Sequence, residues 1–445
     1  MGTTTPPPHL DYAAFLDFLQ AYGHNFFRLY AWEQARYHNT IKSDDFWFEP
    51  SVYERTGPGR ALDGKPTFNL DRFNESYFER LRTRVIEAGR RGIYVSVMLF
   101  NGWSIQPKAG SYADNNPWRA HPFNAGNNVN GISGDVNDSN RLWRILGLGM
   151  VDGGRETHVS IQNPVNPYQK AYVRKVVDAV NDLDNVLYEI SNESPADSTE
   201  WQYDMIRYIR AYEAKKAKQH PIGMTATWPG GKDAVLFRSP ADWISPNNET
   251  KDYLNNPPVA TGDKVIVSDT DHLCGVCGKP QWPWKSFTRG EHLLFMDVYD
   301  GQYPPERRHD PQSPSFVSIR KQLGYIVTFA RKMDLKAMTP QPELCSTGYC
   351  LVNLPAHEPE YLVYRPDMTD PISVDLSAAS GPLSVEWFDP RTGTSQLGAR
   401  VRGGGRHSFA PPFSGEAVLY IKKVEGPRRA AGPGFAASQP THRAH

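Results

Sequence analysis

The chain has 445 residues, enough for two or three domains, and its 49 basic and 49 acidic side chains leave no formal net charge. This balance argues against a nucleic-acid binder and against an electrostatic membrane clamp, because both depend on clustered positive charge. The apolar content of 39% indicates a globular fold, and no stretch approaches the roughly 20 apolar residues that cross a bilayer.

The N-terminal residues show neither the basic region nor the apolar region of a signal peptide. We therefore expect a cytoplasmic protein, or a secreted one whose signal has been removed.

The first 340 residues alternate helical and strand patterns. A helical pattern over 10–22 precedes a buried strand from His24, and a second one over 73–88 precedes the clearest strand, 93–100. The Asn/Gly-rich residues 101–160 predict a long loop with a functional role. Further strands are predicted near residues 186, 222, 243, 265 and 293, with helices over 168–183, 199–218 and 317–333.

Repeated strand–helix units with continuously apolar strands predict a parallel sheet covered by helices. Seven strands are one fewer than a closed (β/α)₈ barrel needs, and the chain opens with a helix where a barrel opens with a strand. We predict an α/β fold: a (β/α)₈-type barrel over 1–340 that lacks its first strand. An exposed barrel edge favours pairing, which leaves a homodimer open.

After residue 340 the pattern changes to short β-type runs separated by Gly, Pro, Asp and Ser. Their spacing of roughly 8–12 residues predicts a small antiparallel β-sandwich over 341–424. Residues 425–445 lack periodicity and predict a disordered tail.

Polar and aromatic residues follow the predicted strand ends, which is where barrel enzymes carry their chemistry. In chain order these residues are Arg28, Trp32, Trp103, Asn192, Glu193, Trp228, Asn247, Asp269, Asp271, His272 and Asp297. Two carboxylates facing each other across such a rim can cleave a glycosidic bond, one as acid and one as nucleophile or base. Tryptophans offer flat apolar faces to sugars, so Trp32, Trp103, Trp228 and Trp282 are each a sugar platform or a core residue.

The pair Asn192-Glu193, after a buried strand, resembles the acid/base motif of the clan A glycoside hydrolases, the cellulase-like (β/α)₈ superfamily. The resemblance implies that Asn192 contacts the 2-hydroxyl, that Glu193 is the general acid/base, and that Arg28 supports the nucleophile. The clan's nucleophile is a glutamate at the end of strand 7, where this chain has Asp269. Asp271 remains an alternative nucleophile, because residues two apart share a face of an extended chain.

Two further segments, His121-Pro122-Phe123-Asn124 and Trp284-Lys285-Ser286-Phe287, look like one branch of these cellulase-like proteins. Residues 341–422 are similar to the small domain named for collagen binding in apiosidase-like hydrolases.

These features predict a glycoside hydrolase that cleaves β-linked sugars, in the manner of a β-glucosidase or β-galactosidase acting on chain ends or short oligosaccharides. The expected mechanism uses two carboxylates, Glu193 as acid/base and Asp269 as nucleophile, with no metal or organic cofactor. We expect retention, but inversion stays open because an aspartate is one methylene shorter than the clan's glutamate and could widen the gap between the carboxylates. Asn247, His272 and Asp297 are expected to bind substrate. The rival hypothesis is a carbohydrate-binding pseudoenzyme, favoured by the missing strand and by aspartate at the nucleophile position.

The four cysteines leave their chemistry open. Cys274 and Cys277 have metal-ligand spacing, but nothing in the sequence brings Cys345 and Cys350 near them. Zinc, disulfides and free thiols remain alternatives, of which we favour free thiols.

Overall fold

The computed structural model describes residues 10–31, 33–39, 44–106, 117–137, 153–299, 310–354, 359–366 and 370–424. The tail predicted over 425–445 lies outside the described residues. Within them, no helix combines the length and the apolar character needed to cross a membrane.

The N-terminal region alternates helices and strands. It contains α1 (Tyr12–Ala21), β1 (Phe26–Tyr30), β2 (Arg36–Asn39), β3 (Asp44–Trp47), β4 (Tyr53–Arg60), β5 (Pro66–Phe73), α2 (Glu75–Arg90), β6 (Tyr94–Asn101), α3 (Gly102–Ile105), α4 (Asn166–Val180), β7 (Val186–Asn192) and α5 (Thr199–Glu213). It continues with β8 (Ile222–Thr225), α6 (Asp233–Arg238), β9 (Trp243–Ser245), β10 (Val265–Asp269), α7 (Thr270–Leu273), α8 (Trp282–Phe287), β11 (His292–Leu294) and α9 (Pro314–Lys332).

Seven of these strands form one parallel sheet in the order β1-β6-β7-β8-β9-β10-β11. Each predicted barrel strand is present, and each pairs in parallel with the next along the chain. Among the described residues β1 and β11 end the sheet, so the prediction of a (β/α)₈-type barrel without its first strand is confirmed. All seven strands run in the same direction, which brings their carboxyl ends to one rim.

The barrel is stabilised by apolar helix faces packed on the strands. In α2, Phe78, Leu81 and Val85 recur at helical spacing and are buried in the same core cluster as Val95 and Val97 of β6. The helices α4 and α5 bury equivalent stripes in that cluster.

Two antiparallel hairpins, β2–β3 and β4–β5, follow β1 in a stretch for which the sequence analysis predicts no strand. The Gly-Pro-Gly run inside β4 hides this strand from a pattern-based prediction. Alternate burial of Phe68 and Leu70 in β5 shows that the hairpin packs one face against the barrel core.

The C-terminal region is antiparallel throughout. It contains β12 (Thr339–Pro340), β13 (Cys350–Asn353), β14 (Glu360–Arg365), β15 (Ile372–Asp375), β16 (Pro382–Asp389), β17 (Thr394–Leu397), β18 (Val401–Arg402), β19 (Arg406–Phe409) and β20 (Ala417–Lys423). One large sheet has the order β12-β13-β14-β20-β16-β17, with β18 also paired to β16, and β15 pairs with β19 in a small second sheet. Ile372, Val374 and Phe409 of the small sheet share a core with alternate residues of the large one, as predicted for a sandwich.

The other face of the large sheet packs against the barrel. Leu362 and Tyr364 of β14 lie in one apolar cluster with Trp284 of α8 and Phe329 of α9. Because the strand alternates, its neighbours Tyr361 and Val363 face the sandwich core instead.

Candidate active site

A buried ion-pair network crosses the inside of the barrel just below the rim. Arg28 of β1 donates to both oxygens of Glu189 on β7, with Nε–Oε2 2.7 Å and Nη2–Oε1 2.8 Å, and its Nη1 lies 2.8 Å from Oδ2 of Asp269 on β10. Burial alone would lower the pKa of Arg28, but Glu189 and Asp269 outweigh burial and raise this pKa well above its ordinary value. Arg28 is therefore a permanent cation between two carboxyl groups.

Glu189 is a site residue that the sequence reasoning missed. It is fully buried, and its carboxylate also accepts hydrogen bonds from Ser96 (3.1 Å) and from Thr225. The sequence feature that could have revealed Glu189 is its position as the single charged residue in the apolar strand Val186–Asn192. A charged residue is rarely buried in this way unless it is paired.

Asp269 combines two roles at the end of β10. Its Oδ2 accepts from Arg28, and its Oδ1 accepts from the backbone N–H of Asp271 (2.9 Å), which caps the first turn of α7. Its side chain is 1% exposed. Asp269 is thus held behind the rim, with both oxygens engaged.

Glu193 lies at the rim in an unusual backbone conformation. Its φ of 46° is the only positive value among the described residues other than glycine, and such a conformation costs about 1–3 kcal/mol. Trp103 donates its indole N–H to Oε2 of Glu193 at 2.5 Å. Gly102 lets the backbones of residues 102 and 193 lie close together, because a Cβ at Gly102 would lie 2.1 Å from the carbonyl oxygen of Glu193.

Asp271 and His272, in the first turn of α7, face Glu193. One ligand atom of each of these three side chains lies within 4.8 Å of the others. Asp271 is 21% exposed, so it reaches the cleft where Asp269 does not. Burial raises the pKa of Asp271 to about 6, with Asp269 and Glu193 adding to the rise and His272 and Arg28 opposing it.

His272 connects the groups around Asp271. Its Nδ1 lies 3.0 Å from Ser245 Oγ and 3.6 Å from Asp269 Oδ2, and its Nε2 lies 3.5 Å from the side-chain oxygen of Asn192. Asn192 in turn donates to Asn101 Oδ1 at 3.3 Å. Ser245 and Asn101 are further site residues that the sequence reasoning did not single out.

Two tryptophans form an aromatic wall beside Glu193. The rings of Trp103 and Trp228 are parallel within 6°, with centroids 5.8 Å apart. Trp228 is 39% exposed and so presents apolar ring surface at the rim. Such a surface can bind the C–H face of a sugar.

Three of the remaining expected substrate residues, Asn247, Trp282 and Asp297, are engaged away from this cluster. Trp32 lies outside the described residues. Trp282 is fully buried with Val298, Phe316 and Ile319, so the sugar-platform prediction is corrected to a core role. Both oxygens of Asp297 bind Arg320 of α9, and its role in substrate binding stays a prediction. Asn247 orders its own loop by accepting from the N–H of Glu249 at 2.8 Å.

The three polar groups Glu193, Asp271 and His272 also have ligand types that could hold a metal ion. The cysteines do not contribute to this group of ligands. Cys274 and Cys277 form a disulfide, so the prediction of free thiols is wrong for this pair. Cys345 and Cys350 are free and buried in the sandwich region.

Two family models match parts of the chain. One is described as "Domain of unknown function (DUF6298)" and matches residues 32–246, and the other is described as "Putative collagen-binding domain of a collagenase" and matches residues 352–419. The second match confirms that the C-terminal region resembles a domain named for collagen binding. No curated protein matches the sequence.

Solved structures with a similar fold are glycoside hydrolases by their descriptions. A glycoside hydrolase family 5 protein from Bacteroides vulgatus has a TM-score of 0.56 at 12% identity, over 92% of this chain and 85% of its own. A "putative glycoside hydrolase" from the same organism has a TM-score of 0.57 at 13% identity, over 95% and 78%. A third, described as a glycoside hydrolase, has a TM-score of 0.53 at 11% identity, over 92% and 88%. At these identities the similarity establishes the barrel fold.

Proposed function

We propose that this protein is a glycoside hydrolase that cleaves β-linked sugars, with Glu193 as general acid/base and Asp271 as nucleophile. The observation that carries the proposal is the approach of these two carboxylates to within 4.8 Å at the carboxyl rim of a parallel barrel. The fold shared with glycoside hydrolases adds support.

The spacing favours a retaining reaction. Retaining glycosidases hold their carboxyl groups about 5–5.5 Å apart, whereas inverting ones leave about 6.5–9.5 Å for a water molecule. One oxygen of Glu193 and one of Asp271 lie within 4.8 Å of each other, which is nearer to the retaining separation than to the inverting one.

Asp271 is preferred to Asp269, the nucleophile favoured by the sequence, because of exposure and hydrogen bonding. A nucleophile must reach the anomeric carbon, and the Asp269 side chain is 1% exposed with both oxygens engaged. Asp269 is better suited to hold Arg28 and to cap α7.

The reaction follows from these positions. Two carboxylates this close favour one shared proton, which Glu193 would give to the leaving glycosidic oxygen while ionised Asp271 attacks the anomeric carbon. The glycosidic bond breaks and a glycosyl ester forms on Asp271. Glu193, now ionised, then takes a proton from water, and the resulting hydroxide oxygen displaces Asp271 from the sugar.

Other residues at the rim are assigned by what they reach. Asn192 and His272 present amide and imidazole groups beside the two carboxylates and would bind sugar hydroxyls. Trp228, exposed next to Glu193 through its stack on Trp103, would carry the sugar or aglycone on the leaving-group side.

The proposal is tested with aryl β-glucoside, β-galactoside, β-fucoside and β-xyloside and with aryl α-arabinofuranoside. We expect hydrolysis of at least one, lost on Glu193→Gln and on Asp271→Asn by roughly a hundredfold or more, and an anomeric product of retained configuration by NMR.

Matched variants separate the carboxylates. Asp197→Asn removes a half-exposed rim carboxylate paired with Arg155 and should leave the rate unchanged. Asp269→Asn should lower stability as well as activity, without rescue by azide or formate, whereas the small anions should rescue Asp271→Asn. If the anions rescued only Asp269→Asn, Asp269 would be the nucleophile. If the wild-type protein hydrolysed none of the aryl glycosides, the proposed function would be refuted.

A further inference from the structure

A chain of buried hydrogen-bonded side chains begins at Ser194, the residue that follows Glu193. Ser194 Oγ lies 3.0 Å from His158 Nδ1, and His158 Nε2 lies 3.1 Å from Glu33 Oε1. Ser191 Oγ lies 2.6 Å from Ser194 Oγ. All four side chains are buried, and nothing in the proposed reaction uses Glu33 or His158.

The direction of these hydrogen bonds is fixed by Glu33. Burial opposes its ionisation, but hydrogen bonds from His121 and His158 outweigh burial and lower the pKa of Glu33. An ionised carboxylate only accepts, so His158 donates from Nε2; as a neutral imidazole it then accepts from Ser194 at Nδ1. Ser191 must then donate to Ser194.

His121 also directs an N–H group towards Glu33. Its Nδ1 accepts from the N–H of Phe123 at 3.1 Å, so its proton is on Nε2, which faces Glu33 Oε1 at 3.5 Å. The segment His121–Phe123, set apart by its sequence, thus contributes to the support of Glu33.

The His158 ring has little freedom to turn. It stacks on Trp201 with centroids 4.4 Å apart and planes within 12°, and it meets Phe100 edge-on at 5.5 Å. Ser194 is also fixed through its backbone, because its carbonyl accepts from the N–H of Trp228 at 3.1 Å. Ser194 is therefore held by both its side chain and its main chain.

The residue that precedes this anchor is the one with a left-handed backbone. Glu193 sits at φ 46° between Asn192 and Ser194, a conformation that persists only when the surroundings enforce it. Serine, histidine and carboxylate occur here in the order of a hydrolase triad, but Ser194 is fully buried and cannot attack a substrate.

A purely stabilising role explains the network poorly. A buried carboxylate costs free energy that apolar packing would avoid, and Glu33 Oε2 has no hydrogen-bond partner among the described residues.

We propose that Glu33, His158 and Ser194 are positioning residues that hold the backbone of Glu193 so that its carboxyl group meets the glycosidic oxygen. This inference rests on the proposed function of Glu193 as acid/base.

The test uses leaving-group dependence, because only poor leaving groups need a well-placed acid. kcat/KM is measured for 4-nitrophenyl and 2,4-dinitrophenyl glycosides of the sugar that the wild-type protein hydrolyses best. In Ser194→Ala, kcat/KM for the 4-nitrophenyl substrate should fall about tenfold more than for the dinitrophenyl substrate. Glu33→Gln, which is nearly isosteric, should shift the ratio in the same direction.

Ser198→Ala is the matched control. Ser198 is a buried serine four residues beyond Ser194, and its Oγ accepts from Gln202 at 2.9 Å rather than from the chain of Glu33. It should leave the ratio of the two substrates unchanged. The positioning role would be overturned if Ser194→Ala and Glu33→Gln lowered kcat/KM equally for both substrates, or not at all. In that case Glu193→Gln should still abolish hydrolysis, and the proposed function would stand. Failure of the wild-type protein to hydrolyse either glycoside would instead refute the proposed function.

Discussion

Among single residues, Arg28 carries the strongest constraint in the site. Removing its charge leaves Glu189 and Asp269 buried and unpaired, since Arg28 contacts both. We expect Arg28→Met to lower the free energy of unfolding by about 3–5 kcal/mol, measured by denaturant titration. Arg82→Met provides the comparison, because Arg82 binds Asp182 in an exposed pair and its loss should cost no more than about 1 kcal/mol. Equal losses in the two variants would show that burial adds nothing to the Arg28 network.

Asp271 should set the acidic limit of activity. Its pKa is raised to about 6 by burial and by the negative charges of Asp269 and Glu193. Since Asp271, as the proposed nucleophile, must be ionised, kcat/KM should fall as the pH drops through about 6, and the limb should appear in a pH–rate profile of the wild-type protein. An acidic limb near the ordinary carboxyl value of about 4 would contradict this environment for Asp271.

The same pKa predicts that Asp271 costs stability when ionised. A carboxyl whose pKa is raised in the folded state binds its proton more tightly there, so the penalty on folding builds up between the unfolded-state pKa of about 4 and the folded-state pKa of about 6. Asp271→Asn should therefore raise the free energy of unfolding at pH 7, by up to about 3 kcal/mol, and have little effect near pH 4. Thermal melts at both pH values check this, and a variant destabilised at pH 7 would argue against it.

Strand-end position predicted which residues meet at the rim, but not where each side chain points. Arg28, Asn192, Glu193, Asp269, Asp271 and His272 come together because neighbouring parallel strands end at the same edge. Asp297 has the same kind of position, yet Arg320, distant in sequence, pairs with it. Glu189 was missed because it lies within a strand, where the pairing partner that makes a buried charge tolerable is not visible in the sequence.

At the scale of elements, residues 117–137 of the Asn-rich segment after β6 form a loop in which asparagine side chains bond to backbone groups. Residues 107–116 and 138–152 of the predicted loop lie outside the described residues. Asn128 donates to the carbonyl oxygens of Pro122, Asn124 and Ile132 and accepts from the N–H of Ile132. Composition predicted a loop but could not show this order, since the partners are backbone groups. The hairpin β4–β5 escaped prediction for a related reason: its pairing depends on packing against the barrel.

We expect Asn128→Ala to cost at least about 2 kcal/mol, because it leaves several buried backbone groups without a partner. Asn137→Ala, at an exposed asparagine bonded to Glu156, should be nearly neutral. Denaturant unfolding of both variants measures the difference. A neutral Asn128→Ala would mean that the segment is held by its apolar contacts alone.

At the scale of the whole molecule, the large sheet of the C-terminal region is buried on both faces. One face forms the sandwich core, and the other packs on α8 and α9 of the barrel. The sequence predicted both units but not this contact. The strands β14 and β20 carry apolar residues on both faces, and this pattern does not show what packs against the second face. Domains joined by a large apolar interface are expected to move and unfold together.

Phe388 tests that coupling because it lies in β16 and contacts the barrel. Its ring meets Tyr325 at 5.1 Å and Phe329 at 5.2 Å between centroids. Truncation of a buried phenylalanine costs about 3–5 kcal/mol, so Phe388→Ala should lower the Tm of the whole chain in one calorimetric transition. Loss of glycosidase activity on heating, which reports on the barrel, should shift by the same amount. Two separate transitions, with the barrel's Tm unchanged, would show that the sandwich folds independently and that the interface contributes little to the stability of the site.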